Sequence, residues 1–187
     1  TCEQDPYVRE LICRIGCSYD MTVLWHAEHV YRGTGGSLRA VEDFLDTPTF
    51  MAIHANVYLR DLDLAAALSA HETQRAAITL VTQRLRGNGY DLETVEVDSS
   101  GLVSRVNILH WSRNRRSQMM PCGVYVFDRT VLSLVPRDEY FDVNEQLVPL
   151  VRSRGGSTRA HQTEGGVYTI TGPEDFLWLN REILLKQ

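Results

Sequence analysis

Short apolar runs rich in β-branched residues alternate with helix-period stretches along most of the chain, and this alternation restricts the fold more than any other feature. Residues 77–83 (Ala-Ile-Thr-Leu-Val-Thr-Gln) give the clearest strand signal. Ahead of them, Leu64, Ala67, Leu68 and His71 share one side of a helix that Asp61 or Asp63 can cap. Residues 50–54 read as a short buried strand, and residues 90–97 and 102–109 flank Asp98-Ser99-Ser100-Gly101, a hairpin signal with glycine at the turn. Further strands are expected at residues 21–25, 123–127, 158–162 and 167–170. Helices are expected at residues 6–14, from Ser37 as N-cap to about Leu45, at residues 143–152, and after Gly172, where Pro173 takes the tolerated first position. Asp128 starts a helical turn ending near Pro136. Strand–helix–strand order with one hairpin in the middle predicts a layered α/β domain with a mixed, mainly parallel sheet. There is no internal repeat and no long linker, so residues 1–187 read as one domain.

The balance of residues excludes several classes. Hydrophobic residues make up 43% and charged residues 23%, which is a folding composition, not a disordered one. The net charge is -5, so nucleic acid is not an expected partner. No apolar run approaches the roughly 20 residues that cross a bilayer, and no membrane association is expected. Residues 1–6 are polar rather than signal-like, and the chain starts with Thr1 rather than Met, so it reads as part of a longer protein. Cys2, Cys13, Cys17 and Cys122 do not form paired zinc knuckles. They read as ordinary thiols of a cytoplasmic protein, with a metal or disulfide role as the other reading. His26 and His29 lack an obvious third ligand. Arg113, Arg115 and Arg116 after Trp111 form a basic cluster, read either as a solvated loop or as a grip on phosphate or an acidic partner.

Several segments together resemble one family. Gly33-Thr34-Gly35-Gly36-Ser37-Leu38-Arg39, followed by Ala40-Val41-Glu42-Asp43-Phe44-Leu45, resembles the GTAGAL…AEDFL segment of the sugar-phosphate nucleotidylyltransferases, which make NDP-sugars. Residues 50–64 resemble that family's FLVLNGDVLTDLDL stretch, residues 90–105 its YGVVEVDEDGRVTR, and residues 122–127 its AGIYVF. Residues 139–143 resemble its EYFDLE turn, and residues 170–176 its IGTPEDY. The order and approximate spacing are the family's from Tyr7 to the C-terminus. The resemblance implies a Rossmann-like nucleotidyltransferase-type fold. It begins after the point where the family's N-terminal glycine-rich loop, with its strand and helix, would have passed. That implies an N-terminally truncated fold with a sheet edge to be covered by upstream residues, a partner or a rearrangement.

The resemblance also implies where chemistry should sit. Family members transfer a nucleotidyl group to a sugar 1-phosphate, which needs positioning, Mg²⁺ and positive charge on the phosphates. The family's metal-binding Asp is matched by Asn56 and its second metal Asp by Thr169; the carboxylates that Mg²⁺ prefers are absent at both. The Glu and Lys that hold the sugar phosphate are matched within residues 107–110 by neutral side chains and His110. The expectation is therefore a pseudoenzyme with a regulatory or protein-association role, self-associating or bound to another protein, with Mg²⁺ used only if activity survives. The alternatives are a nucleotide or NDP-sugar sensor and an enzyme completed by missing N-terminal residues. Gly33, Thr34, Gly35, Asn56, Gly123 and Thr169 are the candidate nucleotide- or sugar-contacting residues. Beside that stands a plainer reading: a tight turn before a helix for the first three, close packing for Gly123, and satisfied polar groups at strand ends for Asn56 and Thr169.

Overall fold

The alternation of apolar side chains in the strand at residues 78–84 divides the molecule into layers. In a computed structural model, residues 6–84, 93–107 and 119–185 are described. The elements are α1 (Pro6–Ser18), α2 (Gly33–Ala40), β1 (Thr49–Ile53), β2 (Val57–Arg60), α3 (Leu64–Gln74), β3 (Ile78–Arg84), β4 (Thr94–Val97), β5 (Val103–Asn107), β6 (Met119–Asp128), α4 (Val148–Ser153), β7 (Thr158–Gln162), β8 (Gly166–Thr169) and α5 (Pro173–Leu184). Short 3₁₀ turns at Glu42–Phe44 and Arg129–Leu134, and a π turn at Val143–Leu147, complete them.

A four-stranded sheet has the order β1-β6-β3-β7. β6 runs antiparallel to both neighbours, whereas β3 and β7 are parallel. The expected mixed sheet is therefore observed. Three strands share a direction, but the reversed β6 lies between two of them, so only the β3–β7 pairing is parallel. The outer edge of β7 meets the turn of the β4–β5 hairpin through a bridge between Leu102 and Arg159 and a bond from Ala160 N to Gly101 O. β2 pairs antiparallel with β8 in a separate two-stranded sheet.

Ile78 and Leu80 of β3, with Tyr125 and Phe127 of β6, face one core that also takes Val95, Val103, Leu147, Val148 and Val151. Val81, Val124 and Val126 face the other, against Ala67 of α3 and Val167 of β8. Each fully buried Leu or Phe contributes about 1.5–3 kcal/mol relative to exposure, so these two faces are what hold the sheet between its layers.

Several boundaries differ from expectation. Met21-Thr22-Val23-Leu24-Trp25 carries a strand pattern but forms no strand, because no described strand lies alongside to complete a ladder. α2 starts at Gly33, so Ser37 sits inside the helix rather than capping it, and its single hydroxyl proton has Glu28 Oε2 at 2.7 Å and Gly33 O at 3.0 Å as acceptors. The helix ends at Ala40 and tightens into the 3₁₀ turn before β1. Asp63, not Asp61, caps α3, accepting from Ala66 N at 2.8 Å. β2 was not anticipated: its four residues show no alternation of their own and are fixed by pairing with β8. Residues 143–152 divide into the π turn and α4, with Asp142 accepting from Asn144 N and Glu145 N at the start.

Candidate functional site

In an α/β sheet, ligand sites form where strands that share a direction end. Here β1 and β3 end, and the reversed β6 begins, on the same side. His54 follows β1, and its amide donates to Gly123 O at 2.8 Å. Gly123 has φ +67°, and a Cβ there would lie 2.9 Å from His54 Nδ1. The glycine thus makes room for the imidazole, which also rests on Tyr125 with 5.7 Å between ring centroids. Burial lowers the His54 pKa below its usual value, and the negative charge of Asp142 opposes that shift only partly.

Asp142 ties this point to the glycine-rich segment. Thr34 Oγ1 donates to Asp142 Oδ2 at 2.8 Å and accepts from Val143 N at 2.9 Å. Gly36 N donates to Phe141 O, and Phe141 N to Arg32 O. A Cβ at Gly33, where φ is +75°, would lie 2.8 Å from Phe141 O; one at Gly35 would lie 2.9 Å from the same atom. The GTGGS and EYFD segments, about a hundred residues apart, therefore form one interlocked turn whose glycines admit a backbone.

A polar chain lies beneath. Asn144 Nδ2 donates to Glu93 Oε2 at 2.5 Å and to Tyr125 Oη at 3.0 Å. Burial raises the Glu93 pKa, the charges of Asp142 and Glu145 add to the rise, and the Asn144 bond opposes it. Burial also raises the Tyr125 phenol. None of Glu93, Tyr125, Asp142 and Asn144 was singled out from the sequence, because no spacing signal links residues that meet only through the fold. The charges acting on Glu93 are carboxylates, and that arrangement repels a phosphate group rather than drawing one in.

Asn56 and Thr169 lie together at a second point. Val57 is paired with Thr169 across β2 and β8, and Ile170 N donates to Asn56 O at 2.8 Å. Asn56 Nδ2 donates to Ile170 O at 3.2 Å. The resemblance placed two Mg²⁺ carboxylates at these positions. The donors present do not suit that ion: one is an amide whose nitrogen already bonds a carbonyl, the other a hydroxyl. Among the described residues, no group of three or more His, Cys, Asp or Glu side chains is placed to hold a metal. A cavity of about 200 Å³ is lined by Gln83, Arg84, Met120, Gly166, Val167 and Tyr168, and neither Asn56 nor Thr169 lines it. Residues 108–110, matched to the family's sugar-phosphate Glu and Lys, lie outside the described residues, as do Trp111, Arg113, Arg115 and Arg116.

The fold is a layered α/β domain built on a mixed sheet. No family model matches the chain. It is 27% identical over 173 residues to a mannose-1-phosphate guanylyltransferase of Mycobacterium tuberculosis (strain ATCC 25618 / H37Rv), a match covering 92% of this chain and 47% of that protein. The chain thus spans about half the length of the curated relative it matches. Among solved structures, HddC from Yersinia pseudotuberculosis superposes with a TM-score of 0.77 at 15% identity, covering 96% of this chain and 75% of HddC. The UTP-bound UGPase from Acinetobacter baumannii superposes with a TM-score of 0.74 at 10% identity, covering 99% and 72%. The chain resembles the sugar-phosphate nucleotidylyltransferases in sequence and has their fold. No described helix is long and apolar enough to cross a membrane.

Proposed function

We propose that residues 1–187 form a non-catalytic nucleotidyltransferase-type domain of a longer protein, used for regulation or association with itself or another protein. One observation carries this reading. Asn56 spends its side-chain N–H on the Ile170 carbonyl, at the point where the resemblance implies a metal carboxylate. What is left to face a cation is one neutral amide oxygen, a weaker ligand for Mg²⁺ than the carboxylate that the resemblance implies. The carboxylates around Glu93, and a His54 whose pKa burial lowers, fit the same reading, because nucleotidyl transfer calls for positive charge. Among the described residues Cys13, Cys17 and Cys122 are free thiols, as a reducing setting would keep them. A pyrophosphate-release assay with nucleoside triphosphates, sugar 1-phosphates and Mg²⁺ tests the reading: no release above background is expected, and turnover overturns it.

A second reading has its own support. HddC has also been solved complexed with GMP-PN, and that complex superposes on this chain with a TM-score of 0.70. A sensor that binds a nucleotide or NDP-sugar without converting it fits an inactive scaffold. Gly33, Thr34, Gly35, Gly123, Asn56 and Thr169 remain its candidate contacts. Calorimetry against nucleoside triphosphates and NDP-sugars separates the two readings; saturable binding without turnover favours the sensor.

A further inference from the structure

α3 packs through one stripe. Leu64, Ala67, Leu68 and His71 recur at helical spacing, and all but the last are apolar. Leu64 and Leu68 are partly buried against the cluster of Val81, Val124 and Val126, and the buried residues of the helix are Ala67 and His71. An imidazole therefore stands where the stripe calls for leucine. Beyond it Glu72, Thr73 and Gln74 are exposed, so His71 is the side chain that fastens the last turn of α3 to the sheet.

His71 is 3% exposed and Thr79 of β3 is 2% exposed. His71 Nδ1 and Thr79 Oγ1 lie 2.9 Å apart. A neutral ring keeps one acceptor nitrogen, so the Thr79 hydroxyl can donate to Nδ1. The imidazolium has two N–H groups and no acceptor, so charging the ring turns that hydroxyl away and leaves a cation beneath the helix. The adjoining backbone is strained. His71 O accepts from Ala76 N and Glu72 O from Arg75 N, and Arg75 holds φ +47°, a left-handed conformation that is costly for a residue with a side chain.

α3 packs against β3, β6 and β7. On this face β3 presents Thr79 and Val81, β6 brings Asp128, and β7 brings Arg159 and His161, paired with Thr79 and Val81. α3 adds Glu72, and its C-cap is Arg75. Asp128 Oδ1 is already engaged by Thr130 N and its hydroxyl, and Arg159 Nη1 by Ser100 O. Burial lowers the His71 pKa below its usual 6.5, and the charges of Asp128 and Glu72 oppose that only in part.

We propose that His71 is a pH-sensitive latch: a proton on its ring releases the last turn of α3 and the Arg75–Ala77 turn from β3 while the sheet stays folded. The closed form binds that proton less well than the open form. The latch is therefore fully closed above about 6.5 and loosens as pH falls through the folded value. This goes beyond the non-catalytic reading and holds whether or not the domain turns over substrate.

Hydrogen exchange of the full chain at pH 7.5 and pH 5, corrected for the intrinsic rate at each pH, tests the latch together with a magnetic-resonance titration of the His71 ring. The amides of Arg75 and Ala76 are expected to open up to ~10-fold more for each pH unit below about 6.5, until the closed form takes up the proton, while those of β3 and β6 hold. His71→Leu and His71→Gln both remove the titrating ring, and the glutamine keeps a polar partner for Thr79. In each variant the two amides are expected to open equally at both pH values. Should the leucine variant fail to fold, the glutamine variant decides; should neither fold, the wild-type amides and ring decide. Wild-type amides as protected at pH 5 as at pH 7.5, a ring that titrates at 6.5 or above, or an acid opening that survives in either folded variant overturns the proposal.

Discussion

The two parts of the candidate site differ in what their residues are for. At the glycine-rich end of α2, every family-like position has a packing reason: Gly33 and Gly35 admit the Phe141 carbonyl, and Thr34 bridges Asp142 and Val143 N. At the junction of β2 and β8, nothing in the packing calls for carboxylates, and Asn56 and Thr169 stand there instead. Residues that the fold needs resemble the family's; those that only metal chemistry would need do not. This is the pattern expected of a scaffold kept for its shape.

Substitutions can break that contrast, and the largest effect belongs at the packed end. Gly33→Ala forces a Cβ onto a carbonyl at a positive φ and should lower unfolding free energy by about 2–3 kcal/mol in a denaturant titration. A loss near zero would mean the turn is loose and its glycines need another explanation. Thr34→Val keeps the shape but leaves Val143 N without its acceptor; a loss of about 1–2 kcal/mol is expected, with Asp142 still capping the π turn.

Asn56→Asp sharpens the other side. It sets a carboxylate against the Ile170 carbonyl and should lower stability by about 1 kcal/mol. Adding Mg²⁺ should not restore the loss; full recovery of melting temperature would reveal a latent metal site. The smallest effect concerns pH. The folded Glu93 pKa is raised, so its contribution to stability is fully present below the unfolded value of about 4.5 and is lost as pH rises through the folded value. His54 works the other way: its folded pKa is lowered, so its contribution is present above about 6.5 and is lost as pH falls through the folded value. Glu93→Gln should therefore melt higher than the wild type at pH 8 and level with it at pH 4. An unchanged difference across that range would contradict the burial of Glu93.

Much of the architecture was legible from local pattern. β3 announces itself by its β-branched run, the β4–β5 hairpin by Asp98 and Gly101, and α5 by Pro173. What local pattern cannot carry is pairing. Residues 21–25 have strand composition without a strand neighbour, whereas Val57 to Arg60 become a strand because β8 lies alongside. The same limit hid the chain from Glu93 through Asn144 to Tyr125, whose members are 51 residues apart at the widest and meet only across the fold. The six candidate positions were found through family resemblance; the structural reasons for Gly33, Gly35 and Gly123 came from the atoms their missing side chains would strike.

The central claim is that this site no longer gathers Mg²⁺ and a nucleotide together. A thermal-shift measurement with nucleoside triphosphates and NDP-sugars, each with and without Mg²⁺, tests it most directly. A ligand present at a hundred times its dissociation constant adds about 2.7 kcal/mol, roughly 5–10 °C for a domain of this size. The account predicts no shift that depends on Mg²⁺; a Mg²⁺-dependent rise of several degrees would contradict it.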